Sequence, residues 1–270
     1  MLVAPRGLEI VRVLGVGAGF ERDMVRDNGL VARWKLLEKL DQLGLQGDYA
    51  GYTFSAGNLT NIEMLVLLSG ADTRFGDPGG SLYSYNLTTI DANVGAGLEL
   101  IVSFNTLLAG ENVTFDGSAE TDGSFFTYGG QGNDVLIGGA QDDKFYFGAE
   151  GRWGAGDQVT GGAGTMDQLG LQGLYSGATA VSFGAGQLSG IEMLVLLSGG
   201  DTRFGSGGLP YSYDITMHDG NVGAGQLLIV SANTLRVDET LTFDGSAETD
   251  GRFTVYGGLG ADTIVGSAGA

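Results

Sequence analysis

GGQGNDVLI, at residues 129–137, is followed without a gap by GGAQDDKFY at 138–146. Each nine-residue unit opens on two glycines (Gly129 and Gly130, then Gly138 and Gly139) and carries an aspartate at its sixth position, Asp134 or Asp143. An apolar residue, Leu136 or Phe145, stands at the eighth. Position three is Gln131 in the first unit; position four is Gly132, replaced in the second unit by Gln141. Glycine reaches left-handed backbone angles without a Cβ penalty, so the first six residues read as a tight turn. The last three read as a short strand with its central side chain directed inward. Imperfect relatives surround the pair. Gly154-Ala155-Gly156-Asp157 is a shortened turn, and Gly161-Gly162-Ala163-Gly164-Thr165-Met166-Asp167 has one extra residue before its aspartate. Gly257-Gly258-Leu259-Gly260-Ala261-Asp262 ends the series, followed by GSAGA.

Outward from these turns, the chain repeats itself on a longer scale. DQLGLQG, IEMLVLLSG, DTRFG, YSY, NVGAG, FDGSAETDG and YGG occur in that order from Asp41 to Asp134, and again from Asp167 to Asp262. A long period filled with short apolar runs and glycine turns is the signature of a coiled, repetitive β architecture. Tyr83, Tyr85, Leu87 and Thr89 alternate with polar residues, as do Tyr211, Tyr213, Ile215 and Met217. Such period-two patterns predict strands. Further strands are expected over 98–104, 125–128, 227–230 and 253–256. Residues 1–40 lie outside the repeat. Leu30, Val31, Trp34, Leu36, Leu37 and Leu40 are spaced roughly as on a helix, which fits either a short helical cap over the first open edge or a segment outside the repeat domain.

Composition narrows the function classes. The 270 residues include 51 glycines and only three prolines, without the every-third-residue glycine of collagen. The formal charge is −19, and residues 41–270 carry 27 of the 32 acidic residues against six of the 13 basic ones. A body this acidic repels nucleic acid and anionic membranes and attracts cations. There is no cysteine, which excludes disulfides, thiolate metal sites and cysteine catalysis. No run is apolar enough for a membrane span. The N-terminus makes a poor signal peptide, since Glu9 and Arg12 break its apolar run.

The tandem nonapeptides and the longer period resemble those of bacterial RTX (hemolysin-type) calcium-binding proteins, and of calcium-dependent surface-layer solenoids, over about residues 41–270. The resemblance implies an all-β, right-handed parallel β-solenoid or β-roll, in which two nonapeptides complete a coil. The expected divisions are 1–40, a non-repeat segment; 41–166, the first solenoid repeat; and 167–270, the second, truncated in its last turn. It implies calcium between stacked turns, held by aspartates and backbone carbonyls, because calcium accepts about six to eight oxygen ligands in flexible geometry. The residues carried over are Gly129, Gly130, Gln131, Gly132, Asp134, Gly138, Gly139, Asp143, Asp157, Gly162, Gly164, Asp167, Gly258, Gly260 and Asp262. It also implies an extracellular or cell-surface protein exported by type I secretion. The expected partners are calcium, with cell-surface polysaccharide or further repeats of the same chain. The expected function is a structural or adhesion module without catalysis. The alternative is an accessory module of a secreted polysaccharide-modifying enzyme or protease, as part of a longer chain.

Sharper alternatives are weaker. Asp116, Glu120 and Asp122, with their copies Asp244, Glu248 and Asp250, could be glycosidase carboxylates, but each set lies in one short loop rather than across a cleft. Gly15, Gly17 and Gly19 lack the βαβ context of a dinucleotide fingerprint. His218 is the sole histidine and reads as a surface strand residue. The paired tyrosines read as a packed ladder before they read as a sugar platform.

Overall fold

A computed structural model describes residues 9–10, 20–21, 34–36, 40–148, 152–204 and 208–268. The chain winds into a parallel β-solenoid of about nine two-walled coils. Asp41–Gln46, Met64–Leu68, Glu99–Ser103, Ser124–Tyr128, Lys144–Phe147, Gln168–Leu171, Met193–Leu196, Leu227–Ser231 and Arg252–Tyr256 stack in chain order as the first wall. The second wall begins with Tyr49–Thr53, Tyr85–Thr88, Val113–Asp116, Asp134–Ile137, Gln158–Thr160 and Leu188–Ser189. It continues as a separate sheet of Val181–Ser182, Tyr213–Thr216, Leu241–Asp244 and Thr263–Val265. Both copies of IEMLVLLSG supply equivalent first-wall strands, as their identity requires. All described residues are free of α-helix; three short 3-10 turns are the only helical geometry among them.

Alternation builds the core. On the first wall Leu43, Leu65, Val102, Thr127, Phe145, Leu169, Leu194 and Val230 lie in one register row, each buried. Facing them, Leu87, Phe115, Leu136, Val159 and Leu188 form a second row. Stacked identical positions keep one continuous apolar interior, so no coil folds alone. Of the paired tyrosines, Tyr85 and Tyr213 join stacks, while Tyr83 and Tyr211 are half-buried against the core. Tyr85 stacks on Tyr49 with ring centroids 5.5 Å apart, and Tyr213 on Tyr175 at 6.1 Å, with all four buried.

The second wall breaks in the coil after Asp167. There the chain passes Tyr175 and Val181–Ser182, which face Tyr213–Thr216 of the next coil. It then runs through Leu188–Ser189, which faces Gln158–Thr160 of the coil before. One enlarged coil thus offers different segments to its two neighbours. The corresponding coil of the first copy has the single strand Tyr49–Thr53.

The edge at Asp41–Gln46 is met by strands where a helix was expected. Trp34–Leu36 pairs antiparallel with it, as does Glu9–Ile10, while Phe20–Glu21 pairs with Trp34–Leu36. A strand answers the free N–H and C=O groups of an open edge directly, which a helix cannot do. The rest of the expected helix lies outside the described residues. His218 is exposed, but it precedes a 3-10 turn rather than sitting in a strand, and its Nδ1 accepts the Gly220 N–H.

Candidate functional site

Each coil turns twice, so the solenoid has two edges, and the motif aspartates divide between them. Asp134 and Asp157 lie on the edge that leads from first wall to second; Asp143 and Asp167 lie on the edge that leads back. All four are buried. Each carboxylate points into its turn and ties it to the preceding coil. Asp134 accepts the Gly130 N–H of its own turn (2.8 Å) and the Val113 N–H of the coil before (3.2 Å). Asp143 accepts from Gly139 and Phe125, both at 2.6 Å. Asp157 accepts from Gly154 (2.6 Å) and from the Asp134 N–H (2.8 Å). Asp167 accepts the Asp143 N–H at 2.6 Å, while its Oδ2 is buried without a partner. Asp262, half-buried in the last coil, repeats the pattern with Gly258 and Leu241.

These geometries explain the motif. A glycine N–H three or four residues back meets Asp134, Asp143, Asp157 and Asp262, and the glycine two residues before Asp134 and Asp262 must approach the preceding coil closely. At Gly132 a Cβ would lie 2.0 Å from the Glu111 carbonyl oxygen, and at Gly260 it would lie 1.9 Å from that of Glu239. Gly162 combines φ +116° with a Cβ position 2.0 Å from the Gly139 carbonyl oxygen. The irregular turns are accommodated. Gln141 donates to the Thr121 carbonyl of the preceding coil, and the extra residue before Asp167 is absorbed by Thr165 and Met166 N–H groups donating to Asp142.

Burial makes these carboxylates electrostatically expensive. Desolvation, with Asp157 nearby, pushes Asp134 up to about 7; desolvation pushes Asp157 up to about 6. Desolvation, helped by Asp142 and Glu120, raises Asp143 to about 6; desolvation and the facing Asp143 raise Asp167 to about 7. Among the described residues none of the four forms an ion pair with lysine or arginine. Successive coils are about 4.8 Å apart, so these carboxylates stand close enough in stacked pairs for one cation to serve two turns.

Other acidic residues do related work that the motif does not announce. Glu111 is buried and accepts N–H groups from Gly70, Tyr83 and Leu108, pinning both ends of the 70–83 loop. Its copy Glu239 does the same with Gly199, Tyr211 and Arg236. Glu63 and Glu192 take the place of motif aspartates by accepting the Asp41 and Asp167 N–H groups. Glu120 and Asp122 come together with Asp91, and Glu248 and Asp250 with Asp219, whereas Asp116 and Asp244 face Ser118 and Ser246 outside those groups. Identity between the two copies was the one sequence signal for Glu111, Asp91 and their counterparts.

On the outer face of the first wall, Phe126, Tyr146 and Phe204 line an open groove of about 220 Å³. Phe204 stacks on Tyr146 with centroids 4.4 Å apart. The groove's cations are already paired, Lys144 with Glu99 and Arg203 with Asp201. Among the described residues no helix is long and apolar enough to cross a membrane. Comparison with family models, with curated proteins and with solved structures returns no match.

Proposed function

We propose that the chain is an RTX-type structural module whose solenoid is completed by calcium. The observation that carries this reading is the set of buried, stacked carboxylates Asp134 with Asp157 and Asp143 with Asp167, none of which forms an ion pair among the described residues. A buried anion without a counter-charge is costly, and a calcium ion between turns removes that cost while using oxygens already aligned. The glycine-aspartate spacing and the acidic body support the same ion. We read the module as extracellular, exported by type I secretion, and non-catalytic. The buried Glu111 and Glu120 and their copies accept backbone N–H groups, and its one histidine accepts a turn N–H. Cell-surface polysaccharide is the adhesion partner we favour, because the half-buried Phe126 and Phe204 give the open groove an aromatic lining against which a sugar can pack.

Thermal unfolding of the full chain in chelator, in millimolar calcium and in millimolar magnesium tests the calcium reading. Calcium should raise the melting temperature and the β signal, since it binds only the folded turns. Magnesium should substitute poorly, since it demands a small octahedron. Identical curves in chelator and calcium would refute it.

A further inference from the structure

The turns that lead from the second wall back to the first carry a second kind of acidic group. Asp91 lies in the 3-10 turn Asp91–Asn93, and Glu120 and Asp122 lie in the corresponding turn of the next coil. One carboxylate oxygen from each of the three falls within 4.8 Å of the others. The next repeat rebuilds the group from Asp219, Glu248 and Asp250.

The three members have different roles. Asp91 anchors the two coils by accepting the Thr121 N–H and hydroxyl, and Asp219 does so with Thr249. Glu120 is fully buried. Its Oε1 accepts the Gly123 N–H at 2.8 Å, while Oε2 is buried with no hydrogen-bond partner. Glu248 reproduces this: Oε1 accepts from Gly251 at 2.7 Å and Oε2 is left unpartnered. Asp122 and Asp250 are exposed, and among the described residues their carboxylates take part in no hydrogen bond or ion pair. A buried carboxylate oxygen without a donor is unfavourable, and repeating it in both copies beside two further carboxylates calls for a ligand that supplies positive charge.

We propose that Asp91, Glu120 and Asp122, and again Asp219, Glu248 and Asp250, each bind a hard divalent cation, calcium by ligand class, at a site separate from the glycine-aspartate turns. Three carboxylates from two adjacent coils supply hard oxygen donors, and the open side provided by the exposed aspartates leaves room for water ligands. Each ion would clamp one coil to the next where the chain leaves the second wall. The inference shares its ion with the proposed function but none of its residues.

Isothermal titration of the full chain with calcium chloride, with far-UV circular dichroism as a fold control, provides the test. Asp122→Asn with Asp250→Asn alters exposed groups that hold no backbone. Glu120→Gln with Glu248→Gln keeps an acceptor for Gly123 and Gly251 but removes the charge. Each double variant should bind two fewer calcium ions per chain than the parent, or bind them at least roughly tenfold more weakly, with an unchanged spectrum. Parent-like stoichiometry and affinity in the asparagine variant would overturn the proposal. If that happens while melting still depends on calcium, only this inference fails. If the variants lose the two ions while parent melting ignores chelator, these sites stand and the turn-based reading falls.

Discussion

Asp134→Ala and Asp262→Ala remove the same two hydrogen bonds from two copies of one turn, so their difference isolates what burial and a further coil contribute. In each, one carboxylate oxygen accepts from the preceding coil (Val113 at 3.2 Å, Leu241 at 2.9 Å), the other from a glycine of the turn (Gly130 at 2.8 Å, Gly258 at 3.0 Å). Only Asp134 is fully buried with a further carboxylate, Asp157, stacked beyond it. Its removal orphans two buried N–H groups, at a cost of ~1–3 kcal/mol each. It also removes a carboxylate whose pKa burial raises to about 7. That shift corresponds to roughly 4 kcal/mol against the ionised form, so the two effects nearly cancel. In chelator at slightly alkaline pH, Asp134→Ala should therefore change stability by no more than about 2 kcal/mol. Calcium at about 100 times its Kd stabilises the parent by ~2.7 kcal/mol, and the variant forfeits most of this. Urea unfolding followed by circular dichroism and by fluorescence of buried Trp153 should show the Asp134→Ala penalty growing by about 2–3 kcal/mol on adding calcium. The Asp262→Ala penalty should change much less. Equal Asp134→Ala penalties in both buffers, or a larger calcium effect at Asp262, would refute the stacked-turn argument.

Further substitutions at four positions probe the frame. Gly162→Ala forces a Cβ to within 2.0 Å of the Gly139 carbonyl oxygen at φ +116°, whereas Gly186→Ala at φ +73° meets nothing within 4 Å. The first should cost about 3 kcal/mol or more and the second about 1–2 kcal/mol, read as shifts in melting temperature. Leu136→Ala hollows the inner row between Phe115 and Val159 and should cost about 2–5 kcal/mol in urea titration. Glu111→Ala should speed proteolysis within residues 71–82, and Glu111→Gln should restore part of the protection, because the amide oxygen still accepts from Gly70 or Tyr83.

The coil path was legible in the sequence because its determinants are local. Paired glycines mark each turn, an aspartate stands at a fixed place in it, and two-residue alternation defines the walls; each can be read within nine residues. The duplicated segments confirm this, since IEMLVLLSG makes the same wall strand in both copies. Even the irregular turns keep their aspartates in place, because Asp157 and Asp167 still reach the coil before them. At residues 34–36 local spacing misled, since a short apolar cluster fits both periods and the open sheet edge chose the strand.

What the sequence by itself determined was therefore the solenoid and the turns that carry Asp134, Asp143, Asp157 and Asp167; the structure buried those carboxylates against backbone N–H groups. Only the tertiary structure decided which carboxylates share a space. Asp91 meets Glu120 across a whole coil, Glu111 reaches both ends of a loop in the preceding one, and the second wall changes sheet at Val181–Ser182. The physical reason is coil length. Contacts between successive coils depend on how many residues each coil takes to return to the wall, and that number varies along the chain. It is set when the backbone ladders of both walls close in register, so residues far apart in sequence acquire neighbours that no local pattern encodes.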